Sequence, residues 1–290
     1  MSPAPASSPS ASQRGLFVAA IAAATCQIAF GARFAADDFW VTMTAAWIAA
    51  LFLAQERGSA TIVSAGAVSR ALGAIACVSA VVALAAMPGY RTVDRVLPLV
   101  AGAGIALAAS GPRGWLRHRS ELLLLALPVM NPPPKVLRGL LSPSLQPLTA
   151  WCTMWIDRAA GYAMTADGNI LRMPNDALNV VSGCSGLYGI TRLFVLAALV
   201  AALFPTTAWQ RVALFASSVL IGFLVNAARI AVLAVAVMRR EDTMFEYWHA
   251  GLGSTFFTIA STAAACLAWW PMFRRWRPAS PDRDPPCLAQ

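Results

Sequence analysis

Three polar residues stand out in this apolar chain. They are Cys184 in Ser182-Gly-Cys184-Ser185-Gly186-Leu187, Arg229 in Gly222-Phe-Leu-Val-Asn226-Ala-Ala-Arg229, and His249 in Glu246-Tyr-Trp-His249-Ala-Gly-Leu-Gly253. A thiol, a guanidinium and an imidazole are the parts of covalent acyl transfer: nucleophile, oxyanion partner and general base. Each string also has a plainer reading. The first is a Gly/Ser-rich helix entry with an incidental cysteine. Ser218, Gly222, Asn226 and Arg229 share one helical face, which suits a packing and hydrogen-bonding seam as well as a site. A lone interfacial histidine is usually just solvated. The elements that carry the three residues decide between these readings.

Those elements belong to a membrane. Of 290 residues, 58% are hydrophobic and only 12% charged, with a mean hydropathy of +0.62, whereas soluble domains carry roughly 25% charged residues. One globular core cannot hide that much apolar surface. The expected fold is therefore all-α, a polytopic integral membrane bundle of about eight transmembrane helices, with no large soluble domain. Apolar runs lie near Leu16–Ala36, Phe39–Ala54, Ala71–Met87, Val96–Ser110, Ser120–Met130, Leu187–Phe204, Trp209–Met238 and Ala250–Phe273. Several fall short of the roughly 20 residues a span needs, so their ends must extend into flanking residues or be reentrant.

The chain divides into a disordered N-terminal tail (1–13), N-terminal transmembrane helices (14–130), an extracytoplasmic segment (131–183), C-terminal transmembrane helices carrying the candidate site (184–273) and a cytoplasmic tail (274–290). Pro132, Pro133 and Pro134 stop helical structure at the start of the third part. The rest of that part reads as a short interfacial helix, about Leu145–Met164, and a surface loop. The first run reads as an uncleaved anchor, because Trp40 opens another apolar run almost at once. Ala-Ala-Thr-Cys26 makes a poor lipoprotein site.

With the N-terminus inside, Arg14, Arg57, Arg70, Arg113, Arg117, Arg119, Arg211, Arg274, Arg275 and Arg277 fall on one side. The other side receives Arg91, Arg95, Lys135, Arg138, Arg158, Arg172, Arg239 and Arg240, together with most of the acids, among them Asp94, Asp157, Asp167, Glu241 and Glu246. The positive-inside rule places both termini in the cytoplasm and segment 131–183 outside. Cys184 and His249 then begin two helices on the same outer face, and Arg229 lies in the outer half of the helix between them. Arg33, Arg192 and Arg229 remain at membrane depth, where charge is costly and functional by default; Arg33 has the alternative of snorkelling.

The net charge of +9 is explained by this topology, so no nucleic-acid partner is expected. Six cysteines (Cys26, Cys77, Cys152, Cys184, Cys266 and Cys287) and two histidines are scattered without a CxxC pair. No metal site, disulfide framework or organic cofactor is implied.

The ordered set Cys184-Ser185-Gly186, Asn226-Ala-Ala-Arg229 and His249 resembles the exosortase/archaeosortase family of membrane cysteine transpeptidases, over about residues 120–273. The resemblance implies a thiol protease or transpeptidase of the inner (plasma) membrane. It would cleave C-terminal sorting signals of exported proteins through a thioester on Cys184, with Arg229 and His249 completing the catalytic set. The signal is a motif such as Pro-Glu-Pro, a transmembrane helix and a basic tail, so the implied partners are such proteins and membrane lipid. Ser185, Gly186, Tyr188, Arg192 and Asn226 are the supporting or substrate-binding candidates. Many members carry a basic residue where this chain has Tyr188, and Arg192, one turn on, is the candidate substitute. Two other readings compete: a transporter or anion- and lipid-binding bundle with Arg192 and Arg229 on an anion path, and an inactive family scaffold. A transporter should show internal repeats, and none is visible by eye.

Overall fold

A computed structural model describes residues 11–34, 39–57, 65–86, 91–174 and 176–274. The fold is a helical membrane bundle. Its helices are α1 (Ala11–Phe34), α2 (Phe39–Arg57), α3 (Ala67–Ala86), α4 (Arg91–Ser110), α5 (Gly114–Arg117), α6 (Arg119–Ala126), α7 (Lys135–Ala159), α8 (Leu187–Leu203), α9 (Ala208–Met238), α10 (Asp242–His249) and α11 (Leu252–Phe273). Among the described residues, four helical stretches are long and apolar enough to cross a membrane alone: Ala67–Ala86, Val93–Arg117, Ala208–Met238 and Leu252–Phe273. Val18–Ala29, Val41–Glu56 and Leu187–Leu203 are shorter apolar helices. The outward face of α3 shows why lipid is the solvent. Val68, Leu72, Ile75, Val78 and Val82 are all exposed, an apolar stripe that would aggregate in water.

Burial divides into three clusters. Met43 and Trp47 of α2, Leu97 of α4, Leu124 and Leu125 of α6 and Val195 of α8 join the N-terminal helices to the C-terminal ones. Leu193, Leu214, Ala265 and Trp269 knit α8, α9 and α11 together. Ala150, Met154, Met164, Leu171, Met173, Val180, Cys184, Ile230 and Leu233 build a third core. That core joins α7 and the outer half of α9 to the segment between α7 and α8, and Cys184 lies in it.

The chain between α4 and α8 departs from expectation in three ways. The fifth apolar run is not a full span. It is α6 followed by a 3-10 turn, Leu127–Met130, about 18 Å of helix against roughly 30 Å of hydrocarbon. The preceding helix α5 is tied to the middle of α4, since Trp115 Nε1 donates to the Ala103 carbonyl at 3.2 Å. The end of the run meets the first turn of α4, where Arg95 Nη1 donates to the Pro132 carbonyl at 3.4 Å. The run thus follows the N-terminal half of α4.

Second, α7 begins ten residues before the expected interfacial helix and ends five before its expected close. Pro143 and Pro147 lie inside it and read as breakers in sequence. They are tolerated because α7 is held from outside, by its contacts to α8 and α9. The exposed face of α7 carries Val136, Leu140, Leu148, Trp151 and Trp155, an amphipathic arrangement suited to lying on the lipid surface. Third, the expected loop contains a three-stranded antiparallel sheet: β1 (Thr165–Asp167), β2 (Ile170–Arg172) and β3 (Ala177–Asn179). Thr165 pairs with Arg172 and Ile170 with Asn179. Gly168, at φ +59, takes the turn between the first two strands.

Two boundaries also move. Helix α1 starts at Ala11, inside the stretch 1–13 expected as a tail. His249 closes the separate helix α10, and α11 starts only at Leu252 beyond a break at Ala250 and Gly251. Residues 1–10 of that tail, Ala35 and Ala36, Met87, and 275–290 of the C-terminal tail lie outside the described residues.

Candidate active site

Cys184 sits in a tight turn, Ser182–Cys184, at the mouth of α8. Its amide donates to the Val181 carbonyl at 2.8 Å. Its own carbonyl accepts from Asn226 Nδ2 at 2.8 Å. The chain then reverses through Gly186 at φ +87, a left-handed conformation that side chains disfavour. A Cβ at Gly186 would also meet Asn226 Nδ2 at 3.2 Å. Glycine is needed here for both its conformation and its lack of bulk, so that the amide of Asn226 can reach the Cys184 carbonyl.

Ser185 is fully buried and holds the turn from beneath. Its hydroxyl donates to the Ser182 carbonyl at 2.8 Å and lies 3.4 Å from Ser142 Oγ of α7. Its carbonyl accepts from Thr149 Oγ1 at 3.2 Å. One turn further along α7, Thr153 Oγ1 donates to the Ala227 carbonyl of α9 at 3.2 Å. Ser142, Thr149 and Thr153 occur on one face of α7 at helical spacing. This row of small buried hydroxyls clamps the cysteine turn against α9; it is not legible locally, because Ser142 lies outside the helix expected at Leu145–Met164 and the partners of all three hydroxyls are distant in the chain.

The polar stripe of α9 serves two purposes. Its inner part is a packing seam: Ser218 Oγ donates to the Leu193 carbonyl at 3.2 Å, and Gly222 lets the backbone of α8 approach so closely that a Cβ would come within 2.8 Å of Ile190 Cα. Its outer part faces the cysteine turn. Arg229 Nη2 donates to the His249 carbonyl at 2.7 Å and Nε to the Trp248 carbonyl at 3.5 Å. One guanidinium therefore caps the C-terminal end of α10 while its charge acts on the Cys184 thiol.

That charge does not win. Burial pushes the Cys184 thiol up, and Arg229 pulls it part of the way back. The thiol at rest is protonated at neutral pH, since even a free cysteine has a pKa of about 8.5. The imidazole of His249 is exposed and stacked on Phe245, ring centroids 5.1 Å apart; among the described residues it makes no hydrogen bond to Cys184. The structure thus brings Cys184, Ser185, Gly186 and Asn226 into one contact network, with the charge of Arg229 acting on the thiol. It reaches His249 through its backbone, with the ring to one side. Trp248 fixes the next turn, because its ring lies where any Cβ on Gly253 would be.

The two remaining candidates separate. Arg192 Nη1 donates to Thr258 Oγ1 at 2.6 Å and ties α8 to α11. Tyr188, on the first turn of α8, accepts from Arg138 Nη1 of α7 at 3.3 Å. Asp157, near the end of α7, is 2% exposed, its Oδ2 has no hydrogen-bond partner, and burial pushes its carboxyl up to about 7. Among the described residues no cluster of three or more His, Cys, Asp or Glu could hold a metal ion.

These features define a class: an integral membrane protein with a buried cysteine held at a helix entry, beside an arginine, at one end of the bundle. A family model for the transmembrane exosortases matches residues 34–266, and the chain belongs to that family. No curated protein and no solved structure matches the chain.

Proposed function

We propose that the protein is a membrane cysteine transpeptidase that cleaves C-terminal sorting signals of exported proteins through a thioester on Cys184. The observation that carries this reading is the double engagement of Arg229. The same side chain lowers the cost of a thiolate at Cys184 and holds the backbone of His249 at 2.7 Å. This supports a site in which one positive charge acts on the nucleophile and anchors the backbone of the segment that carries the base.

The chemistry follows from these positions. A substrate segment enters beside the turn of Cys184. The His249 ring swings from Phe245 and takes the thiol proton. The sulfur attacks the substrate carbonyl, a C–S bond forms, and the carbonyl electrons move to oxygen, where Arg229 balances the new charge. The C–N bond breaks, and the imidazolium returns its proton to the leaving amine. An acceptor amine or water then attacks the thioester and frees the thiol. The arginine distribution supports a site on the extracytoplasmic face of the inner (plasma) membrane.

The test is to trap the thioester. Purified protein is mixed with a tail bearing Pro-Glu-Pro, a transmembrane helix and a basic end, and the adduct is mapped by mass spectrometry. The expected adduct is on Cys184. Cys184→Ala abolishes it, and His249→Ala slows both its formation and its release. An adduct on another cysteine, or unimpaired cleavage by Cys184→Ala, overturns the proposal.

A further inference from the structure

Arg138 has no role in the chemistry above, yet the structure brings it to the same helix entry. It lies on the first turn of α7, one turn before Ser142, whose hydroxyl touches Ser185 next to Cys184. Its Nη1 donates to the hydroxyl of Tyr188, and its Nε is buried with no hydrogen-bond partner among the described residues. A guanidinium presents five donors in a planar fork that matches a carboxylate. Here the described polar partner is one neutral phenol. A buried cation with unused donors is costly unless a counter-charge arrives.

We propose that Arg138 and Tyr188 form the subsite that recognises an acidic side chain of the substrate segment. This rests on the transpeptidase reading, which places a peptide carbonyl at Cys184. Arg138 supplies the charge and its open donors. Tyr188, accepting from Arg138, turns its own hydroxyl proton toward the same carboxylate. The position also bears on register: Tyr188 follows Cys184 by four residues, across the reversal at Gly186, so the acidic residue lies near the scissile bond. A lipid phosphate fits this placement less well, because Tyr188 and Arg138 are both partly buried and bonded to each other between α7 and α8, whereas Val136 and Leu140 beside Arg138 are exposed.

Binding to the full-length Cys184→Ala protein in phosphatidylcholine nanodiscs tests this without turnover. Two tails are compared, identical but for Pro-Glu-Pro or Pro-Gln-Pro before the transmembrane helix. The Glu tail is expected to bind about tenfold or more tightly, the size of one charge-assisted contact. Arg138→Gln should erase that preference while leaving the Gln tail unaffected, which also reports a folded protein. Arg138→Lys should restore part of it. A preference that survives Arg138→Gln, no preference at the outset, or an equal loss for both tails overturns the assignment. So does a preference that disappears when phosphatidylglycerol replaces part of the phosphatidylcholine, since that result gives the site to a lipid headgroup. The two proposals fail separately. A Glu preference in a protein that never cleaves sinks the transpeptidase reading alone, and cleavage without the preference sinks only this one.

Discussion

At the scale of the residue, the site is defined by a contest over one proton. Cys184 is buried, which favours the neutral thiol, and Arg229 favours the thiolate. Because burial prevails, alkylation of Cys184 by iodoacetamide should be slow at pH 7 and rise only above the range of a free thiol, about 8.5. Arg229→Ala removes the one lowering charge, so the rise should move to still higher pH. Cleavage by that variant should fall about 10²–10³-fold, the loss typical of one oxyanion donor. Arg229→Lys keeps the charge but not the fork that holds the His249 carbonyl, so its rescue should be partial. Fast, pH-independent alkylation from pH 6 upward, mapped by peptide mass, would show a preformed thiolate and refute this balance. The resting position of His249 fits the same view: the base acts once a substrate has drawn its ring from Phe245.

At the scale of the element, α7 is the part that makes the site rigid. Its hydroxyl row grips the cysteine turn and α9, and its far end carries Asp157. The Tyr162 amide donates to the Asp157 carbonyl at 2.9 Å, and Arg239 of α9 donates to the Tyr162 hydroxyl at 3.1 Å. The Asp157 carboxyl is raised to about 7, well above the ordinary value of about 3.9. Between roughly pH 4 and 7 the folded protein keeps a proton that the unfolded chain has lost. Stability from this group is therefore present at acid pH, falls as pH rises to about 7, and changes no further above it. Asp157→Asn should leave the thermal midpoint unchanged at pH 4 and raise it by several degrees at pH 8, in line with about 1–2 kcal/mol. Thermal unfolding of the detergent-solubilised protein at the two pH values checks this. Parallel pH profiles for the two proteins would show that Asp157 titrates normally.

At the scale of the whole molecule, the fold sets which segments share an end of the bundle, and the proposed function requires one end to face outward. The 3-10 turn and Pro132 after α6 meet the first turns of α2 and α4, through Asn131 to Thr42 at 2.8 Å and Arg95 to Pro132. Segment 131–183 therefore begins at the end where α2 and α4 start, the end for which the positive-inside rule gives an outward expectation. A reporter fused after Arg277 should be active in the cytoplasm, and one inserted beside Asp167 should report the outside. The reverse pattern would separate the cysteine turn from exported substrates and end the functional proposal.

The membrane class was legible in composition alone, because only lipid accommodates a chain so poor in charge. The residues of the candidate site could be picked out as well. A cysteine between glycines at a helix entry, an Asn and an Arg three residues apart, and a later histidine are local patterns, and each keeps its meaning without knowledge of its neighbours. The Gly168-Asn169 turn signal of the small sheet is local as well, within a segment that otherwise reads as loop. What only the tertiary structure decided concerns residues whose importance depends on a partner distant in the chain. Pro143 and Pro147 argue locally against a helix that packing against α8 and α9 nevertheless sustains. The hydroxyls of Ser142, Thr149 and Thr153 look ordinary until that helix aligns them under Cys184. Arg138 becomes a candidate for recognition only when folding brings it to Tyr188, fifty residues on. The division of the α9 stripe into a seam at Ser218 and Gly222 and a site at Asn226 and Arg229 depends likewise on where α8 ends and the cysteine turn begins. Periodicity shows which residues share a face, and packing alone determines what that face meets.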